Sequence, residues 1–303
     1  MGFDRVTIVG PGLIGGSLGL ALKAKKLVNH VVGVGWREAS LRAALAVGAI
    51  DSWTLDLAKG VKEADWVVLA TRVGLVCELG IRAIPAMKSG AILSDVGSTK
   101  AEVVAMIGPH VRPDVHFVAM HPLAGSERRG VEAANAALFA GSVCVLTPTP
   151  RSNAKSLETV SAVWRALGAQ VATMSPAAHD LILAQVSHLP HLTAACLLSA
   201  IGDDALPYGA GGLRSATRIA AGDPELWMDI FRSNRRNLLE TIERLEKVLE
   251  DVRGFLSVGD DAALLAMLKS AQQKRQSLEA GAPEAHTPTA LPKAARPRGR
   301  KGR

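Results

Sequence analysis

Two stretches of this chain set residues at spacings suited to chemistry. The first is Gly10-Pro11-Gly12-Leu13-Ile14-Gly15, placed between an apolar run and the helix-like GSLGLALKAK. In a G-x-G-x-x-G turn the first glycine permits the tight turn, the second lets a pyrophosphate approach the backbone, and the third lets the next helix pack closely on the sheet. The amides of Leu13, Ile14 and Gly15 at that helix N-terminus then face the phosphates. The second stretch is AMHPLAGSERRG, residues 119–130, where an apolar strand gives way to a polar loop. A histidine at such a strand end, His121, is a candidate for proton transfer beside a bound dinucleotide, because an imidazole with reference pKa near about 6.5 exchanges protons readily at neutral pH.

The strand after the glycine turn, HVVGVG, ends in Gly35-Trp36-Arg37-Glu38. A site for NAD usually carries Asp or Glu there to bind the ribose hydroxyls. Gly35 holds that position, and the planar fork of Arg37 suits a 2′-phosphate, so NADP is the preferred cofactor and NAD, through Glu38, a possible one. Trp36 or Arg37 is expected to cover the adenine. Ligands of open parallel sheets sit at the carboxyl ends of the strands. Three polar clusters fall there: Thr71-Arg72, the run Asp95-Val96-Gly97-Ser98-Thr99-Lys100, and His121 onward. This placement brings Thr71 to the cofactor and Ser98 and His121 beside the nicotinamide. His188 and His191 of SHLPH lie on nearly one helical face. With no third Cys, His or acid at a diagnostic spacing they are not read as a metal site.

The elements that must position these groups follow from the pattern. Apolar runs at 5–10, 30–35, 65–71, 90–97, 116–121, 142–148 and 168–174 alternate with helix-like segments. Strands apolar on both faces with helical connections indicate a doubly wound α/β domain with a mainly parallel sheet, a Rossmann arrangement. From Ser175-Pro176, an N-cap with proline in the first turn, the chain reads as all-helical. Its first helix should kink at Pro190, and a long amphipathic helix opens at Asp223-Pro224 with more apolar face than its own domain needs, which implies a homodimer interface. The expected domains are a dinucleotide-binding domain over 1–175, a helical substrate and dimerisation domain over 176–276, and a disordered basic tail over 277–303.

Bulk properties exclude several classes. The net charge is +7, but residues 279–303 hold six Lys or Arg against two Glu, a surplus of four, leaving only +3 elsewhere. That tail is too poor in large apolar side chains to order itself, and the charge therefore does not point to nucleic acid. The apolar segment near 181–202 carries His188, Pro190 and His191, so it reads as a buried helix rather than a membrane span. Three dispersed cysteines and the absence of a leader pattern suit a reducing cytoplasm, with each cysteine a small core residue.

Taken together, DVGSTK, HPLAGSERRG, SHLPH and TRIAAGDPELW, in that order after the glycine turn, resemble the cyclohexadienyl dehydrogenases, the prephenate and arogenate dehydrogenases of tyrosine biosynthesis, over about residues 5–255. The resemblance implies oxidative decarboxylation: hydride leaves C4 of a cyclohexadiene for the nicotinamide and carbon dioxide leaves C1. It implies that His121 accepts the C4 hydroxyl proton, that Ser98 orients hydroxyl and imidazole, and that Arg218 binds the ring carboxylate, with Arg214 as stand-in. His188 and His191 would donate to substrate carboxylates, and Ser126 and Glu127 would govern substrate choice. Trp227 is expected in the core or dimer interface. One departure is Arg72, where the family commonly has proline. Two other readings share parts of the pattern: a β-hydroxyacid dehydrogenase or imine reductase, and a non-catalytic dinucleotide-binding scaffold.

Overall fold

Short runs of β-branched and apolar residues become eight strands of one sheet in the computed structural model, which describes residues 2–125 and 128–279. The strands are β1 Phe3–Val9, β2 Val28–Val34, β3 Ser52–Thr54, β4 Trp66–Leu69, β5 Ile92–Asp95, β6 His116–Leu123, β7 Val143–Leu146 and β8 Gln170–Thr173. Their order is β3-β2-β1-β4-β5-β6-β7-β8. All neighbours are parallel except β6 and β7. The direction of winding reverses between β1 and β4, which opens the crevice where such sheets bind ligands. Successive residues feed opposite faces: Trp66, Val68 and Ile92 join one core cluster, Val67, Leu69 and Leu93 the other.

The sheet is covered by α1 Leu13–Ala24, α2 Glu38–Ala46, α3 Leu57–Val61, α4 Val73–Ala83, α5 Ala101–Ile107 and α6 Ala154–Ala166. The helical part comprises α7 Pro176–Leu183, α8 Leu189–Ser199, α9 Gly211–Thr217, α10 Pro224–Ser233, α11 Arg235–Val258 and α12 Asp261–Glu279. Ser175 caps α7 by accepting from the Ala178 amide, and Asp223 caps α10 through the Glu225 and Leu226 amides. Ile230 of α10, with Leu226, Trp227 and Phe231 beside it, enters the same cluster as Val73 and Val76 of α4. The two parts thus share a core.

Several expectations need correction. The strand β3 is absent from the sequence reading because three half-buried residues carry no readable alternation. β6 does not stop at His121 but runs on to Leu123. Pro190 does not simply kink one helix: Ala184–His188 forms a turn of π-helix joining α7 to α8, as suits a proline that cannot donate to the Val186 carbonyl. The stretch Pro176–Ser199 is not the uniformly buried helix expected, since Val186 and Leu197 are exposed while His179, Asp180, His188 and His191 are buried. The long amphipathic helix breaks at Asn234 into α10 and α11. Cys196 is exposed rather than in the core. The last helix reaches Glu279, past the tail boundary expected at 277; residues 280–303 lie outside those described.

Candidate active site

A cavity of about 250 Å³ opens at the carboxyl ends of β1, β2 and β4. Gly10, at φ 84°, sits in the left-handed region that side chains avoid. A Cβ on Gly15 would lie 2.8 Å from the Gly10 carbonyl oxygen and 2.9 Å from Ala70 Cβ, so only glycine lets α1 approach the sheet. A Cβ on Gly12 would meet nothing within 4 Å. That open cradle at the start of α1, beside its first amides, fits a dinucleotide pyrophosphate. Leu13 opens α1, and Ile14 turns its side chain to the core. Trp36, Arg37 and Thr71 line the cavity, as do Ser40 and Glu132, which sequence reasoning missed. β2 ends at Val34, so Gly35 does follow the strand, and Glu38 pairs with Arg42 at 2.5 Å. Arg72 bonds Glu225 of α10 at 2.5 Å, so the residue standing where the family has proline ties the two parts together.

The far wall of this cavity comes from the chain that follows His121. Gly130, Val131 and Glu132 line it, and Val131 packs where a Cβ on Gly16 would lie, 2.6 Å from Val131 Cγ2. Arg129 pairs with Asp223 at the cap of α10 at 3.3 Å. Ser126 and Glu127 lie outside the described residues.

His121 is half-buried on β6, opposite Val145 of β7. Its Nδ1 lies 2.9 Å from Nε2 of His179, whose Nδ1 lies 2.8 Å from Oδ1 of Asp180. Asp180 accepts the Lys100 amide at 2.7 Å on Oδ1 and the Ala101 amide at 2.8 Å on Oδ2. The Lys100 ammonium, wholly buried, pairs with Asp95 and donates to the Met120 carbonyl at 3.0 Å. Asp95 also accepts the Gly97 amide at 2.9 Å, fixing the turn that carries half-buried Ser98. Burial holds the His121 pKa well below the usual imidazole value, and the buried Lys100 ammonium acts in the same direction. His121 is therefore neutral at pH 7 and able to accept a proton.

His188 is buried, and its pKa is pushed down to about 4, chiefly by that burial. Asn234, at the α10–α11 break, donates to the Asp180 carbonyl at 2.7 Å and lies 3.1 Å from His188 Nδ1. Both amide hydrogens are thereby used, which leaves His188 with its proton on Nε2. His191 stacks on Trp227 at 3.6 Å between ring centroids. Burial lowers its pKa too. His188 Nε2 and His191 Nδ1 are buried without a hydrogen-bond partner among the described residues. Such groups are costly unless something accepts from them. Arg218 opens the short turn Arg218–Ala221 against α8 and is exposed in the single chain, not set in a dry pocket; Arg214 is exposed too.

Sequence reasoning missed His179, Asp180, Asn234 and the Lys100–Asp95 pair. The signal available for His179-Asp180 was an adjacent pair of ionisable residues within the otherwise apolar PAAHDLIL. Trp227 packs at the core margin as expected, and it also supports His191.

Residues 18–173 match the family model for the prephenate dehydrogenase nucleotide-binding domain, and residues 175–270 the prephenate dehydrogenase dimerization domain. The chain is 32% identical over 284 residues to cyclohexadienyl dehydrogenase of Zymomonas mobilis, covering 91% of this chain and 97% of that one. It superposes on prephenate dehydrogenase of Aquifex aeolicus in complex with hydroxyphenyl propionate and NAD+ with TM-score 0.86 and 31% identity, covering 92% and 99% of the two chains. Synechocystis arogenate dehydrogenase is similar at TM-score 0.77 and 26% identity, covering 90% of this chain and 99% of that one. With both domains matched in order and a relative 32% identical over nine-tenths of this chain, the chain belongs to the prephenate dehydrogenase family of oxidoreductases.

Proposed function

We propose that this protein oxidatively decarboxylates prephenate, arogenate or both, with NADP as preferred acceptor and NAD as a poorer one. The observation that carries this reading is His121: a neutral imidazole on the carboxyl-terminal half of an interior strand, held by β7, on the same chain segment that goes on to line a cleft shaped for a dinucleotide. The nicotinamide, when bound, supplies the two-electron acceptor for hydride from substrate C4. His121 takes the C4 hydroxyl proton, Ser98 orients that hydroxyl, and ring aromatisation drives loss of carbon dioxide from C1. His188 and His191, each with a buried nitrogen lacking a partner among the described residues, suit substrate carboxylates, and Arg218 is assigned to the ring carboxylate. Ser126 and Glu127 govern the choice between keto and ammonium side chains.

The NADP preference rests on Gly35 after β2 and on Arg37 and Ser40 lining the cleft, with Glu38 drawn off by Arg42. The similarity of residues 175–270 to a dimerization domain, and the exposed Leu239, Leu249 and Leu256 along α11, support a homodimer. The proposed location is the cytoplasm. Steady-state assay of both substrates with NAD and NADP tests the reading, and no turnover in any of the four pairings refutes it. Arg37→Ala should raise the NADP Michaelis constant selectively; equal effects on both cofactors would reject the phosphate clamp. His121→Asn should remove most of kcat.

A further inference from the structure

The hydrogen bonds around Asp180 constrain the protons of His179 and, through it, of His121. Backbone amides can only donate, and Asp180 receives one on each oxygen, from Lys100 at 2.7 Å and Ala101 at 2.8 Å. Its carboxylate is thus an acceptor throughout, and His179 Nδ1, 2.8 Å away, must carry a proton. With one proton on the His179 ring, at Nδ1, its Nε2 is left as a lone pair. His121 Nδ1, 2.9 Å from it, must donate. The remaining nitrogen of His121, Nε2, is left as a bare lone pair. A carboxylate thereby selects the tautomer of the proton acceptor through an intervening imidazole, an extension of the logic by which a carboxylate orients a single catalytic histidine.

We infer that His179 and Asp180 form a proton relay behind His121. This rests on the proposed reaction. The substrate hydroxyl proton passes to His121 Nε2 as the O–H electron pair begins to form the carbonyl, and the His121 Nδ1 proton passes to His179 Nε2. The positive charge so created resides on His179, in contact with the Asp180 carboxylate, instead of on His121. His179 is faced by His121 from β6, by Asp95 and Lys100 from the β5–α5 connection, and by Asp180 and His188 from its own helical stretch, while the α10–α11 junction presents uncharged Asn234. Of these only Asp180 combines direct contact with opposite charge. His179 and Asp180 are both buried, so water does not compete for the relay. His179 and Asp180 are positioning residues, since neither is placed against the substrate.

Nitrogen-15 NMR of the histidine-labelled protein at pH 7, without substrate, reads the resting state. The expected spectrum has His121 and His179 each protonated at Nδ1 and bare at Nε2, with signals assigned by their loss in His121→Asn and His179→Gln. A proton on His121 Nε2 would overturn the inference. In kinetics, His179→Gln can keep an acceptor for His121 but cannot take a proton; His179→Asn can satisfy Asp180 but frees His121. Both should lower kcat by about 10²-fold with the substrate KM nearly unchanged, and both should move the acid limb of the rate profile to lower pH, because the charge must then stay on His121. Unchanged kcat and acid limb in both would reject the relay. Should these variants fail to fold, the wild-type tautomer decides. Should neither cyclohexadiene turn over while the tautomer is as stated, the substrate reading falls and the resting arrangement stands.

Discussion

Replacing Lys100 by methionine keeps the side chain's length and removes its charge from the most deeply buried ion pair among the described residues. Lys100 and Asp95 are both 0% exposed. In Lys100→Met the Asp95 carboxylate keeps the Gly97 amide on Oδ2, while Oδ1 has no partner among the described residues. Breaking one side of such a pair costs about 3–5 kcal/mol. At about 2 °C per kcal/mol for a chain of this size, Tm should fall by about 6–10 °C. The deficit should depend on pH in a definite direction. Burial already raises the Asp95 pKa against the opposing pull of Lys100, and without Lys100 it rises further. A folded-state pKa above the unfolded value contributes stability below the unfolded value and loses it as pH rises through the folded one. The Lys100→Met deficit should therefore grow as pH rises from 4 toward 7 and beyond. Asp95→Leu/Lys100→Met removes both charges and should recover all but about 1–3 kcal/mol, the cost of leaving the Met120 carbonyl and Gly97 amide without their partners. Urea titration of the three variants across pH measures this. A single-variant loss under about 1 kcal/mol, or a double variant no better than the single, would refute the reasoning.

Gly12→Ala and Gly19→Ala should separate binding from folding. The first adds a methyl to open space and should raise the cofactor Kd about tenfold or more at unchanged Tm. The second drives a Cβ to 2.1 Å from the Ala49 carbonyl oxygen and should cost about 1–3 kcal/mol in urea titration. Gly222→Ala would place its Cβ 2.6 Å from Trp227 Nε1 and 3.0 Å from His191 Cε1; the substrate KM should rise about tenfold with cofactor KM unchanged, measured by steady-state kinetics. In the wild type, kcat/KM should climb with pH to a plateau through an apparent pKa below 6.5, since burial, with the Lys100 ammonium nearby, disfavours charge on His121; a midpoint above 6.5 would contradict this environment.

What could be read in advance was local. The glycines of residues 10–15 announce themselves because a turn, a cradle and a close packing contact each need a missing side chain at a fixed offset. His121 and Ser98 stood out because strand ends are recognisable. His179 and Asp180 did not, because their partners lie 58 and 80 residues away in sequence. Asn234 hid among the charged residues of SNRRN. The gap between Phe231 and Leu238 in an otherwise regular apolar spacing marks the break it creates. Arg218 shows the limit of a motif: the pattern TRIAAGDPELW singles it out, but its exposure is set by how the helical segments pack, which the motif does not report.

The two halves of β6 belong to different sheets in effect. Up to Ala119 it pairs in parallel with Asp95 and the rest of β5; from Met120 it pairs antiparallel with β7. His121 is therefore held by a ladder just beyond the parallel sheet, at the point where one strand changes both its partner and its direction of pairing. Its backbone position is set by β7 and not by the parallel strands that carry the glycine turn, so the two halves of the site are anchored independently.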